Sequence, residues 1–456
     1  MSRTPDKKVA LMIAMLAAFF VPFMGSSVNI ALPSIGEDFA MDAVSLSWVA
    51  TSFLLAAAMF LLPFGRLADI YGRKLFFSLG IVTYTFASFV SAVSPSGLVL
   101  ILFRGLQGMG GAMIFSTGIA ILTSVFPSHE RGKALGMTVA AVYLGLSFGP
   151  PLGGLITHYL GWRFVFLIHV PLGLIIISLI LLKLKGEWAD AQGESFDLLG
   201  SLTYCISLTA LVYGLLRLPD TVGITIALVG LVGLLGFVIW EYNSPSPLLD
   251  VRLFQTSTVF ALSNLSALIH YSATFAVGFL ISLYLQYIKL YSPQISGMIL
   301  MVQPVVMALF SPLAGRLSDR IEPRIVASLG MLMTLIGLFV FSFISEDMML
   351  PLIILNLIIL GLGFALFSSP NTNAVMSVVD KKHFGVASAT LGTMRLTGQM
   401  LSMGITTLIF SVKIGKVQIT EEYYQQFLTS SRIAFLIFAI LCFIGMLASA
   451  ARGKLR

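Results

Sequence analysis

Apolar residues recur along this chain in long runs from one end to the other, separated by short clusters of charged, Pro and Gly residues. A helix crosses a bilayer with about 20 consecutive apolar residues. Fourteen segments meet that length, near 9–33, 46–67, 75–94, 98–126, 134–158, 163–184, 197–217, 222–241, 258–286, 293–315, 325–345, 350–377, 384–411 and 431–451. The pattern predicts an all-α polytopic membrane protein. The first run follows Arg3, Lys7 and Lys8 and continues to Pro33. That exceeds the apolar core of about 7–15 residues of a cleaved signal peptide, so it reads as a retained first helix.

Composition agrees. The 456 residues are 57% hydrophobic and 10% charged, against roughly 25% charged in soluble proteins. The length would allow about three soluble domains, but runs recurring end to end point to one integral membrane body. The net charge of +7 is topological rather than a footprint for nucleic acid. Of the 27 Lys and Arg, nineteen fall on the side of the N-terminus and six on the other, while Arg104 and Arg395 lie inside runs. Cytoplasmic loops collect Lys and Arg. With an even span count, both termini are therefore expected in the cytoplasm, in the plasma or inner membrane. Cys205 and Cys442 sit within apolar runs and read as small hydrophobes. All 20 Asp and Glu fall in loops or at helix ends.

A phrase repeats. Gly65-Arg66-Leu67-Ala68-Asp69 returns as Gly315-Arg316-Leu317-Ser318-Asp319, 250 residues later. The expected organisation is a six-helix bundle over 1–190, two inserted helices over 191–245 and a second six-helix bundle over 246–456. Internal repeats of this kind build secondary transporters, with the substrate site between the halves near the bilayer midplane.

Three motifs carry mechanism. In residues 65–77, GRLADIYGRKLFF, Gly65 and Gly72 allow close packing and a tight turn. Asp69 at a helix end faces Arg73 and Lys74, a charge cluster able to hold one arrangement of two helices and release another; the plainer alternative is a solvated loop that only sets topology. Asp319 occupies the same place in the second copy, where Glu322 stands in place of Gly72. Helix 4 carries Leu100, Arg104, Gln107, Gly108 and Gly110. A charge at mid-helix costs about 2.5–3.5 kcal/mol on insertion scales. Arg104 is thus expected to face a polar cavity or a partner, or else to snorkel to the boundary. Helix 5 carries Gly136, Gly145, Gly149-Pro150 and Gly153-Gly154. Small residues permit a close backbone crossing and Pro150 bends the helix, so a hinge at the bundle interface is expected.

The 65–77 segment resembles the loop 2–3 signature of the major facilitator superfamily, departing at Ile70, where a basic residue is usual. The helix 4 set is similar to that family's helix 4 signature, and the helix 5 spacing resembles its antiporter signature at every defined position. Gly161-Trp162-Arg163-Phe164, Pro171, Gly173, the phrase Pro247-Leu248-Leu249-Asp250 and the two extra helices look like the fourteen-helix drug:proton antiporters. The resemblance spans the chain. It implies two six-helix bundles plus two inserted helices, a monomer among membrane lipids, and proton-driven export of amphiphilic small molecules by alternating access. In one respect the chain departs: Met24 stands where that family usually has an acid in helix 1. This favours a second expectation, an exporter or flippase for anionic or zwitterionic lipid-like or organic-acid compounds.

His270, in the middle of helix 9, is a candidate replacement for the missing proton site, with the edge acids Asp69, Glu241 and Asp319 behind it. Helix 13 bears Ser388, Gly392, Arg395, Gln399 and Ser402, a stripe in steps of three and four. Helix 4 places Arg104, Gly108 and Gly111 likewise. The two stripes are expected to line a positive central cavity, with Asn29, Asn264, Gln303 and Asn356 as uncharged lining; the alternative for Arg395 is packing against backbone carbonyls. No HExxH, GxxxxGK[ST] or intramembrane carboxylate pair is present. Neither an enzyme, a metal, a cofactor nor direct ATP drive is expected, and a channel or receptor would leave the repeated phrase unexplained.

Overall fold

A computed structural model describes residues 7–218, 220–379 and 384–453. Arg3, Lys381, Lys382, Lys454 and Arg456, all counted in the charge asymmetry, lie outside the described residues. The first six long helices are α1 (Lys7–Asp38), α2 (Ala43–Tyr71), α3 (Arg73–Ala92), α4 (Gly97–Val125), α5 (Ser128–Tyr159) and α6 (Arg163–Lys183). Then come α7 (Leu198–Leu216) and α8 (Thr221–Asn243). The last six are α9 (Thr258–Ile288), α10 (Pro293–Arg320), α11 (Pro323–Phe341), α12 (Leu350–Ser377), α13 (Phe384–Lys413) and α14 (Glu421–Ala451).

Among the described residues, 13 helices are long and apolar enough to cross a membrane. The remaining long helix, α13, has 30 residues, but Arg395, Gln399 and its Thr, Ser and Gly residues lower its hydropathy. It packs between α2, α9 and α14 like any other member of the bundle. Leu181, Leu182 and Phe343 are among many large apolar side chains on the outside, the surface of a protein whose solvent is lipid. Helix starts follow local chemistry: Asp42 accepts from Ser45 N–H at 2.9 Å to cap α2, and Ser292 with Pro293 opens α10. The last helix starts about ten residues earlier than the apolar run, because Arg432 is absorbed inside it, donating from Nε to the Ile344 carbonyl at 2.6 Å.

The repeat extends from the phrase into the packing. Where α3 crosses α4, a Cβ on Gly80 would lie 2.9 Å from the Gly110 carbonyl oxygen. Where α11 crosses α12, a Cβ on Gly330 would lie 2.6 Å from that of Gly363. Gly330 follows Gly80 by the same 250 residues that separate the two phrases. Each crossing is also tied by an amide: Gln107 Nε2 donates to Ser88 Oγ at 2.7 Å, and Asn356 Nδ2 to the Gly337 carbonyl at 2.8 Å. Helices α7 and α8 form a close hairpin, where Cβ atoms on Gly214 and Gly230 would lie 2.7 Å from the Gly223 and Ser207 carbonyls. From that hairpin α7 reaches both α2 and α13, and Tyr204 donates to the Ala58 carbonyl at 3.1 Å.

Candidate functional site

The glycines of α5 serve two different neighbours. Gly145, Gly149 and Gly153 face α1: Cβ atoms there would lie 2.6 Å from the Phe19 carbonyl, 2.9 Å from the Phe23 carbonyl and 2.7 Å from Ser27 Cα. Ser27 Oγ uses this closeness to donate to the Gly149 carbonyl at 2.9 Å. The opposite face meets α10. A Cβ on Gly154 would collide with the Pro293 carbonyl, and a Cβ on Gly297 of α10 with the Pro150 carbonyl. The expected hinge therefore divides. Three of its glycines lock α5 to α1 within the first six helices, and only Gly154 with the Pro150 carbonyl reaches the last six.

Other bonds between the first six and last six helices gather at the same end, away from the termini. Ser282 Oγ donates to the Asn29 carbonyl at 2.7 Å, Gln286 Nε2 to the Ile30 carbonyl at 3.0 Å, Thr407 Oγ1 to Ser47 Oγ at 2.8 Å and Ala43 N–H to the Val417 carbonyl at 3.0 Å. Nearer the middle of the helices lies a polar cluster contributed by both groups. Tyr143 of α5 sits beside Ser311 and Ser368 and near Tyr271 and Arg395. Arg395 donates to Thr372 Oγ1 at 2.7 Å, and its guanidinium carbon lies 5.7 Å from the Tyr271 ring centroid. Arg395 Nε is enclosed without a hydrogen-bond partner. Among the described residues no ion pair involves Arg395 or Arg104.

The other residues singled out from the sequence go to different places. Arg104 is 2% exposed. Its Nε donates to the Val49 carbonyl at 2.9 Å, it bonds the Gln107 side chain, and it covers the Phe53 ring at 4.7 Å. It neither snorkels nor joins Arg395 across a cavity; with Gln107 it clamps α2, α3 and α4 together. Asn356 does the same for α11 and α12, and Asn264 turns back on the Phe260 carbonyl at 2.9 Å. Asn29, Gln303 and Gln399 are half-buried; Gln399 lies one turn from Arg395, while Asn29 belongs to the joint just described. Met24 is wholly within the core. His270 is enclosed by aromatic rings, 4.1 Å from Phe367 and 5.2 Å from Phe364 between centroids, with no hydrogen bond to either nitrogen. Tyr143, Tyr271, Thr372 and Gly297 were not singled out in the sequence. The available signal was a polar atom inside an apolar run, which many buried tyrosines and threonines share.

At the end that holds the termini, the 65–77 motif is engaged by the segment preceding α7. Arg73 Nε donates to Asp69 Oδ1 at 2.7 Å, while its Nη1 reaches both Asp190 at 2.6 Å and Ser124 Oγ at 2.8 Å. Arg66 pairs with Glu194 at 2.6 Å, Ala191 N–H donates to the Asp69 carbonyl at 2.9 Å, and Arg73 N–H to the Trp188 carbonyl at 2.8 Å. Gly72 has φ 131°, and a Cβ there would sit 2.6 Å from Glu187 Cδ. Asp319 receives a long contact from Asn373 Nδ2 at 3.5 Å. Removing the Asp69 charge, with the isosteric Asp69→Asn, should loosen Arg73 and with it the docked segment. A shift of about 1–3 kcal/mol between conformations is expected, read as altered spin-label distances between α2 and α10 at the end that holds the termini. Unchanged distributions would count against a gating role.

The Major Facilitator Superfamily sequence model matches residues 14–288 and 263–453. Over 97% of this chain and 96% of the relative, the sequence is 30% identical to the riboflavin transporter RibZ of Clostridioides difficile. The multidrug resistance protein Stp of Mycobacterium tuberculosis is 30% identical over 89% of this chain and 76% of its own. A crystal structure of a bacterial homologue of the human lysosomal transporter Spinster, inward-facing and occupied, superposes with a TM-score of 0.69. It covers 99% of this chain and 97% of that one at 16% identity.

Proposed function

This chain belongs to the major facilitator superfamily, and we propose that within it the protein is a proton-coupled exporter of amphiphilic small molecules. Both termini lie in the cytoplasm in this reading. One observation carries it: the two groups of six helices are bonded together at the outer end, above a polar cluster to which both contribute. That is the arrangement of a carrier sealed outside and loading from within. Substrate enters between α5 and α13 and meets Tyr143, Tyr271 and Arg395. Closing the inner end then requires the α5–α10 joint to part, because two packed arrangements of the same helices exchange rather than deform continuously.

The charge of the site supports anionic or zwitterionic compounds over lipophilic cations. Arg395 brings a positive charge and an enclosed Nε without a partner, and Met24 removes the acid that would neutralise a cation. A planar, polar molecule such as the riboflavin carried by the Clostridioides relative is accommodated by the same groups, with the two tyrosine rings stacking and Arg395 donating. In this reading the driving proton binds at His270, adjacent in sequence to Tyr271. Both of its nitrogens are buried and unpaired, a costly state that a conformation wetting the ring would relieve, and there the ring would take up the proton.

The test is flux in liposomes, with and without a pH gradient, using one cationic amphiphile, one anionic amphiphile and riboflavin. Saturable, gradient-driven flux with counterflow is expected for the anion or riboflavin. In His270→Ala the gradient dependence should vanish while counterflow survives. Gradient-driven export of the cation with no binding of the others would overturn the substrate assignment.

A further inference from the structure

Asp197 and Glu241 are separated by 44 residues of sequence, yet they meet at the inner end of the α7–α8 hairpin. Asp197 caps α7: its Oδ1 accepts from Gly200 N–H at 2.7 Å, and its Oδ2 accepts from Trp240 Nε1 at 2.7 Å and Ser244 Oγ at 3.2 Å. Glu241, near the last turn of α8, is 0% exposed. Its Oε2 accepts from Leu249 N–H at 3.0 Å, whereas Oε1 is buried without a partner. A Cβ on Gly200 would lie 2.7 Å from Glu241 Oε1 and 2.8 Å from Asp197 Oδ2. Both oxygens thus border the single gap left by the missing side chain of Gly200.

Among the described residues no ion pair involves Asp197 or Glu241. On the connector, Arg252 is taken by Asp250 at 2.9 Å, and Glu194 before α7 is taken by Arg66. Tyr242, next along α8, is exposed, and Asp197 is the N-cap of α7, the helix on which α8 packs. Two carboxylates bordering one gap, one of them fully enclosed, disfavour carrying charge together. The donors decide which is neutral. Among the described residues the hydrogen bonds from Gly200, Trp240 and Ser244 go to Asp197, and that from Leu249 goes to Glu241 Oε2. Only Oε1 lacks a hydrogen, and it lies on the Asp197 side.

We propose that Asp197 and Glu241 form a proton-binding carboxylate pair at the inner end of the inserted hairpin, with Asp197 ionised and the proton on Glu241 Oε1. The pair is distinct from the Arg395 cluster. Through Oε2 it also holds the backbone of the 247–250 phrase, which leads into α9. Loss of the proton leaves two facing negative charges and loosens the connector, so the site senses the pH on the side of the termini.

Infrared spectra of purified protein in lipid, recorded as differences between neutral and alkaline pH, test the pair without any substrate. Their outcome is therefore independent of the transport assignment. A protonated-carboxyl C=O band is expected at neutral pH. It should be lost in Glu241→Gln, which keeps the acceptor for Leu249 and is checked for folding by thermal melting and size exclusion. The band should be weakened in Asp197→Asn, where the neighbouring charge that favours the proton is gone. An identical neutral-pH band in wild type and Glu241→Gln would overturn the proposal. So would a wild-type band that appears only after chelation of divalent cations, which would make the occupant a metal ion.

Discussion

Gly297→Val is expected to lower transport at least about tenfold while leaving a folded protein. At this position α10 approaches α5 so closely that a Cβ would occupy the place of the Pro150 carbonyl. The contact joins the first six helices to the last six at the end away from the termini, and in the proposed cycle it is made only while that end is closed. Overpacking of this kind costs about 1–3 kcal/mol. Charged to one conformation alone, that amount shifts the equilibrium between states by about 5- to 150-fold. Distances measured between α5 and α10 at the end away from the termini should lengthen accordingly. Gly149→Val is expected to behave differently, because Gly149 faces α1 within the first six helices, where a Cβ would lie 2.9 Å from the Phe23 carbonyl. In the proposed cycle that crossing stays closed throughout, so the expected loss there is of folded protein as well as of flux. Wild-type flux from Gly297→Val, with unchanged distances, would refute the gate.

The second large effect is expected at Arg395. Its guanidinium spends one nitrogen on Thr372 and lies beside Tyr271, while Nε is enclosed and unpartnered. A hydrogen bond to a charged group contributes about 1.5–3 kcal/mol. Arg395→Ala should therefore weaken binding of an anionic amphiphile by about 10- to 150-fold and leave binding of a cationic one of similar size within about twofold. Arg395→Lys should fall between, because an ammonium keeps the charge but loses the planar fork. Equilibrium binding to protein in detergent reads this directly. Equal losses for anion and cation would mean that Arg395 supports the fold of the site rather than the charge of its ligand.

Much of this protein was legible in one dimension. A bilayer requires about 20 apolar residues per crossing, a local demand, so the helices fall where the apolar runs lie. The 250-residue repeat was equally plain in the 65–69 and 315–319 phrases, and Gly80 and Gly330 carry it into the packing. Motif glycines marked α5 as a close-packed helix, because a missing side chain states its purpose without reference to the partner. What the sequence left open was the partner itself. Arg104 and Arg395 look alike as charges inside apolar runs. The rotation of α4 turns one onto Val49 and Phe53, while α13 turns the other toward Tyr143 and Tyr271. Gly149 and Gly154 stand five residues apart in one motif, yet one meets α1 and the other α10. Asp197 and Glu241 each sit at a helix end, as every acid in the chain was expected to, but only the closing of the α7–α8 hairpin brings them face to face. Hydropathy and spacing are properties of a single helix and determine that it spans. Which of its faces meets which neighbour depends on the rotation and crossing of two helices, and that was decided only by the tertiary structure.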